Sequence, residues 1–118
     1  MPRNARCVAP GVACHVTQRG VDRRRVFWST QDRLAYLQLV RNEQVSCGIR
    51  VLAFCLMTNH VHFVVVPERE DSAAVLFRRV NGRYAQYVNV RRERVGHLWQ
   101  NRYRSGIVAA DHEWTVIG

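Results

Sequence analysis

Lysine is absent from this chain of 118 residues: its 18 basic residues are all arginine, against nine acidic ones, for a formal net charge of +9. A G- and C-rich genome would exchange lysine for arginine, but it would not raise base over acid. The excess of planar guanidinium forks favours a polyanion partner over a small neutral substrate. The four cysteines, Cys7, Cys14, Cys47 and Cys55, form no Cys-x-x-Cys pair. That argues against a zinc ribbon, and Cys55, inside the apolar run from Val51 to Leu56, reads as a buried reduced thiol. No stretch reaches membrane-spanning length, so a cytoplasmic protein with no membrane partner is expected. Internal repeats, linkers and low-complexity tracts are also missing, which leaves a single domain over residues 1–118, large enough to bury a core.

Hydrophobic patterning sets the order of elements. Residues 12–19 are β-branched and end at Gly20, as a short strand does. A basic loop, Arg23-Arg24-Arg25, follows. Ser29 as N-cap, with Asp32 three residues on, opens a helix over about 30–46 that carries Leu34, Tyr36, Leu37 and Val40 and ends at Gly48. Residues 50–57 and 60–66 read as two strands joined by Thr58-Asn59, both central because apolar side chains fall on both faces. Pro67 stops the second. Asp71-Ser72 then opens a helix through Leu76, Phe77, Val80, Tyr84, Tyr87 and Val88, weakened by Gly82 and ending in Arg91-Arg92-Glu93-Arg94. Alternation over 98–108 predicts a fourth strand. The sum is an α+β, ferredoxin-like βαββαβ arrangement, a four-stranded antiparallel sheet with two helices on one face.

Chemistry concentrates at Met57-Thr58-Asn59-His60-Val61-His62-Phe63. Two residues apart on a strand, His60 and His62 share a face, while Val61 and Phe63 point the other way into a core. Two neutral imidazoles side by side can ligate one divalent metal, with a third ligand required from elsewhere. Alone, the pair is a weak signal. Its place at the start of an apolar strand, after a hairpin Asn and in a strongly basic chain, strengthens it, because a metal beside a phosphate-binding surface acts as a Lewis acid on a phosphodiester. His15 reads as a satisfied core histidine and a possible neighbour of the site. Trp28, Trp99, Tyr84 and Tyr87 read as packing residues. At least one of the two arginine runs, 23–25 or 91–94, is expected to grip phosphate.

Three segments, in order, resemble the HUH single-tyrosine (Y1) transposases, in the branch of REP-associated tyrosine transposases. They are His15-Val16-Thr17-Gln18-Arg19-Gly20, Phe54-Cys55-Leu56-Met57-Thr58-Asn59-His60-Val61-His62, and Gly96-His97-Leu98-Trp99-Gln100-Asn101-Arg102-Tyr103-Arg104-Ser105. Thr58 stands where the family often has proline. The resemblance implies a nuclease domain that binds single-stranded or hairpin DNA. It implies that His60 and His62 ligate Mg²⁺ or Mn²⁺, that Asn59 shapes the turn presenting them, and that Arg19, Arg102 and Arg104 fall where DNA is contacted. It also implies a tyrosine nucleophile, carried on a further helix, that attacks the phosphate and leaves a 5′-phosphotyrosine link.

No tyrosine follows Tyr103, so the resemblance implies a C-terminally truncated domain that keeps the DNA- and metal-binding half of the site and lacks transesterification. No catalytic residue is assigned. Two alternatives stand beside this expectation. An active nuclease would recruit Tyr103 or a metal-activated water. A ferredoxin-like RNA-binding module would need Phe63, Trp99 and Tyr103 on the open face of the sheet. Pairing of sheet edges would give a homodimer.

Overall fold

The expected order of elements is the order observed. In the computed structural model, which describes residues 9–100 and 103–107, the elements are β1 (Cys14–Arg19), α1 (Thr30–Cys47), β2 (Ile49–Leu56), β3 (His60–Pro67), α2 (Ser72–Arg91) and β4 (Arg104–Ile107). A 3₁₀ turn, Val21–Arg23, follows β1. The four strands form one antiparallel sheet in the order β2-β3-β1-β4. Both helices pack on one face, giving the α+β, ferredoxin-like arrangement.

Local chemistry sets the helix ends. The Ser29 hydroxyl accepts the Asp32 N–H at 3.2 Å, and the Asp32 carboxylate accepts the Trp28 N–H at 2.8 Å, which satisfies two donors at the start of α1. Gly48 closes the helix in the left-handed region at φ 72°, a conformation that a Cβ would strain. Gly82 lies on the exposed side of α2, and the helix runs through it.

Alternation along the strands divides the sheet into two faces. Cys14, Val16 and Gln18 of β1 and Val61, Phe63 and Val65 of β3 turn toward the helices. There they meet Tyr36 and Val40 of α1 and Leu76, Phe77, Val80 and Tyr84 of α2. Two polar side chains in this core are chained together. Asn81 accepts from the Tyr36 hydroxyl at 2.8 Å and donates to Gln18 at 3.2 Å, and Gln18 donates to the Gln100 carbonyl at 3.0 Å.

Three expectations on the elements are corrected. β2 is an edge strand rather than a central one, and its apolar residues on both faces reflect incomplete cover: Leu52 and Phe54 remain 52% and 39% exposed. In α1 the buried stripe is Asp32, Tyr36, Val40, Glu43 and Cys47, whereas Leu34 is exposed. The fourth strand occupies only residues 104–107. Leu98 and Trp99 reach the core from an irregular segment anchored by a bridge between Trp99 and Gly20. Residues 101, 102 and 108 lie outside the described residues.

Candidate functional site

On the face away from the helices, β1 presents His15, Thr17 and Arg19, and β3 presents His60 and His62. Antiparallel register sets Arg19 opposite His60 and Thr17 opposite His62. On the other side of β1, Arg104 of β4 lies opposite Thr17. Directly opposed residues share a face, so Arg19 and Arg104 lie on the same face as the histidines. Arg102 lies outside the described residues.

The turn carrying His60 is laced to the exit of β1. Gly20 N–H donates to the Asn59 carbonyl at 2.9 Å, and Val26 N–H donates to the Thr58 carbonyl at 2.8 Å. A Cβ at Gly20 would collide with the Arg24 carbonyl oxygen, so this close approach requires glycine. Asn59 donates through Nδ2 to the Arg23 carbonyl at 3.2 Å, which turns its Oδ1 toward His60 Nδ1 at 2.7 Å. An amide oxygen only accepts, so Nδ1 of His60 carries the proton and Nε2 keeps its lone pair. Asn59 therefore shapes the turn and also fixes the histidine's tautomer.

His62 is held by different partners. Its Nδ1 lies 3.0 Å from Nε2 of His15 and 3.3 Å from the Thr17 hydroxyl, which is itself 3.2 Å from His15 Nε2. The His15 and His62 rings are nearly parallel, with centroids 5.2 Å apart and planes at 11°, so they meet edge to edge through these nitrogens. Among the described residues, no hydrogen bond engages Nε2 of either His60 or His62. Burial, followed by the neighbouring His62 and Arg19 charges, lowers the His60 pKa from its ordinary value. Burial and Arg19 do the same to His62, and burial and His62 to His15. These effects favour the neutral form of both rings, the form that binds a cation.

Imidazoles held through one nitrogen, with the other not engaged by a described residue, fit a divalent metal. Two ligands do not complete such a site, and among the described residues no group of three His, Cys, Asp or Glu side chains is placed to hold one.

The structure separates residues that look alike in the sequence. His15 is half-buried on the open face beside His62, a correction to its reading as a core histidine. The cross-strand register that brings it there is nonlocal and leaves no mark in local spacing. The run Arg91-Arg92-Arg94 is engaged within the fold. Arg91 and Arg92 lie 3.6 and 3.5 Å from the Asp32 carboxylate, Arg92 stacks over Trp28, and Arg94 binds the Asn89 side chain and the His97 carbonyl. Arg23, Arg24 and Arg25 are exposed, and none of their side chains makes a hydrogen bond or ion pair with a described residue.

All four tyrosines of the chain are described, and none stands beside the histidines. Tyr36 and Tyr84 are fully buried and donate to Asn81 and to the Val26 carbonyl. Burial, then the neighbouring tyrosine for Tyr36 and Asp32 for Tyr84, pushes both phenols far up. Tyr87 donates to Asp32 at 3.0 Å, and Tyr103 packs on Phe77 of α2. Phe63 and Trp99 are also buried under the helices, so the three aromatics required by an RNA-binding sheet lie on the wrong face. Trp28 packs at the core's rim, and Trp99 and Tyr84 in the core, as expected.

The family of IS200-like transposases matches residues 10–117. No curated protein matches the chain. The structure of a REP-associated tyrosine transposase bound to a REP hairpin aligns with a TM-score of 0.73 at 16% identity, over 94% of this chain and 64% of that one. A candidate transposase of Deinococcus radiodurans R1 aligns with a TM-score of 0.64, also at 16% identity, over 92% of this chain and 88% of that one. Both likenesses are of fold. Among the described residues, no helix is long and apolar enough to cross a membrane.

Proposed function

The chain belongs to the IS200-like transposase family, and on that footing we propose that it binds single-stranded or hairpin DNA across the open face of its sheet. It acts as one domain over residues 1–118, with a divalent cation, Mg²⁺ or Mn²⁺, held by Nε2 of His60 and His62. Arg19 and Arg104 flank that position, Arg102 extends it, and Asn59 sets the turn. The observation that carries this reading is the pair of imidazoles held through Nδ1, with no described hydrogen bond at Nε2, set beside Arg19 on the face away from α1 and α2. The hairpin in the aligned REP-associated transposase supports the choice of DNA.

When bound, such a cation supplies Lewis-acid polarisation of a phosphate oxygen. The chain's own groups orient the ligands, keep them neutral and place guanidinium charge where phosphates would lie. In this reading none of the chain's four tyrosines serves as nucleophile, since all four lie on the helix side of the sheet or under it. Incubation with hairpin and single-stranded DNA in Mn²⁺ is expected to give metal-dependent binding and no covalent protein–DNA band. A covalent band lost in Tyr103→Phe would make that tyrosine the nucleophile, and one that persists in the variant would place the nucleophile on another side chain. Either band would defeat the assignment.

The competing nuclease reading that uses a metal-activated water predicts cleavage with no covalent link to the protein. Strand scission without covalent attachment, abolished in His60→Ala, would favour it. A homodimer would form by pairing of the edge strand β2 with its copy. Sedimentation showing only monomer at all concentrations would remove that element of the proposal.

A further inference from the structure

Asn59 dictates the tautomer of His60, but nothing so one-sided dictates that of His62, whose Nδ1 faces another imidazole. Two imidazole nitrogens 3.0 Å apart share a single proton, so one ring must donate and the other accept. We infer that His15 is a positioning residue whose Nε2 accepts the Nδ1 proton of His62, holding His62 in the same tautomer as His60 so that both Nε2 lone pairs face one point. This rests on the metal-binding reading of His60 and His62.

Three features carry it. The two rings lie nearly parallel, at 11°, and meet edge to edge, which suits an N–H···N bond in the ring plane and fixes the His62 ring plane. The Thr17 hydroxyl lies within hydrogen-bond reach of both nitrogens, at 3.2 and 3.3 Å, and bridges them from the same strand face. The antiparallel register sets Thr17 directly opposite His62, so the arrangement is built into strand pairing rather than into a loop. His15 does not touch the bound ion in this scheme and acts only through His62. A hydrogen-bonded partner on the far nitrogen fixes ring orientation and raises ligand basicity, and losing one weakens metal affinity by about 10- to 100-fold.

The test is calorimetric titration of the 118-residue chain with Mn²⁺, in the parent, His15→Ala, His15→Gln and His60→Ala. His15→Ala is expected to weaken Mn²⁺ binding by about 10-fold or more while leaving the melting temperature and metal-free DNA binding near the parent's. His15→Gln, whose amide reaches to the place of the lost Nε2, is expected to restore most of the affinity. Parent-like Mn²⁺ affinity in His15→Ala, alongside its loss in His60→Ala, would overturn the inference. Should the parent itself bind no Mn²⁺, the metal-binding reading fails, and the positioning role is then decided by ring nitrogen NMR. A single Nδ1-protonated His62, giving way to mixed tautomers in His15→Ala, sustains it; an Nε2-protonated His62 in the parent refutes it.

Discussion

The two faces of the sheet are made from alternate residues of the same strands, yet they solve opposite problems. On the covered face, buried polar side chains bond to one another or to the backbone: Gln18, Asn81 and Tyr36 form one chain, and the Tyr84 hydroxyl is taken by the Val26 carbonyl, while the Trp99 indole N–H has no partner among the described residues. On the open face, His60 and His62 are each held at Nδ1, by Asn59 and by His15, and no described residue hydrogen-bonds their Nε2. The same contrast separates the two arginine runs. Arg91 and Arg92 are bound to Asp32, whereas the side chains of Arg23 to Arg25 are exposed and make no ion pair with a described residue. A histidine or an arginine therefore reveals its role through what remains uncommitted after folding.

Substitutions on the two faces sharpen this contrast. Phe63→Ala removes a buried ring and is expected to cost about 3–5 kcal/mol in chemical denaturation, whereas His62→Ala, one residue away, should cost under about 1 kcal/mol. Equal losses would dissolve the distinction between the faces. Asp32→Asn is next, at about 2 kcal/mol, because its carboxylate accepts from Trp28, Tyr87 and Arg92. Burial pushes the Asp32 carboxyl up, but those hydrogen bonds together with the Arg92 charge outweigh it and leave its pKa below the ordinary value. A lowered carboxylate stabilises the fold fully above the unfolded value, near about 3.9, and that contribution is lost as pH falls through the folded value. Denaturation curves taken across that acid window should steepen in the parent and flatten in Asp32→Asn.

DNA binding discriminates between the arginine runs. Replacing Arg23, Arg24 and Arg25 by Ala should lower the slope of log affinity against log salt by about 2 on single strands, as expected when three phosphate contacts are lost. Arg91→Ala with Arg92→Ala should leave that slope unchanged and lower stability instead. The reverse pattern would exchange the roles assigned to the two runs. The smallest effect is expected for Glu43→Gln. It loosens ion pairs to Arg79 and Arg83 at 3.3 and 2.9 Å, whose arginines are half exposed, and thermal denaturation should register about 0.5 kcal/mol.

Local patterning made most of this legible. α1 starts and stops where Ser29 and Gly48 place it, and His60 and His62 share a face because strand periodicity requires it. What depends on pairing between distant strands was harder to see. β2 resembles a central strand in composition, but its edge position follows from sheet order, which its own residues do not encode. Trp99 alternates like a strand residue, yet it fills the core from an irregular segment because Tyr36 and Tyr84 offer it an aromatic pocket. His15 gains its meaning only from lying beside His62, and the engaged state of Arg91 and Arg92 only from the approach of Asp32 on the other helix.

The central claim, that the open face around His60 and His62 is where a divalent cation binds, is tested most directly by paramagnetic broadening of backbone amide signals on adding Mn²⁺. The signals of Thr17, Arg19, His60 and His62 are predicted to broaden first, with those in the middle of α1 and α2 little changed. Broadening centred instead on the acidic link Glu68, Glu70 and Asp71, with the histidine strands unaffected, would contradict it.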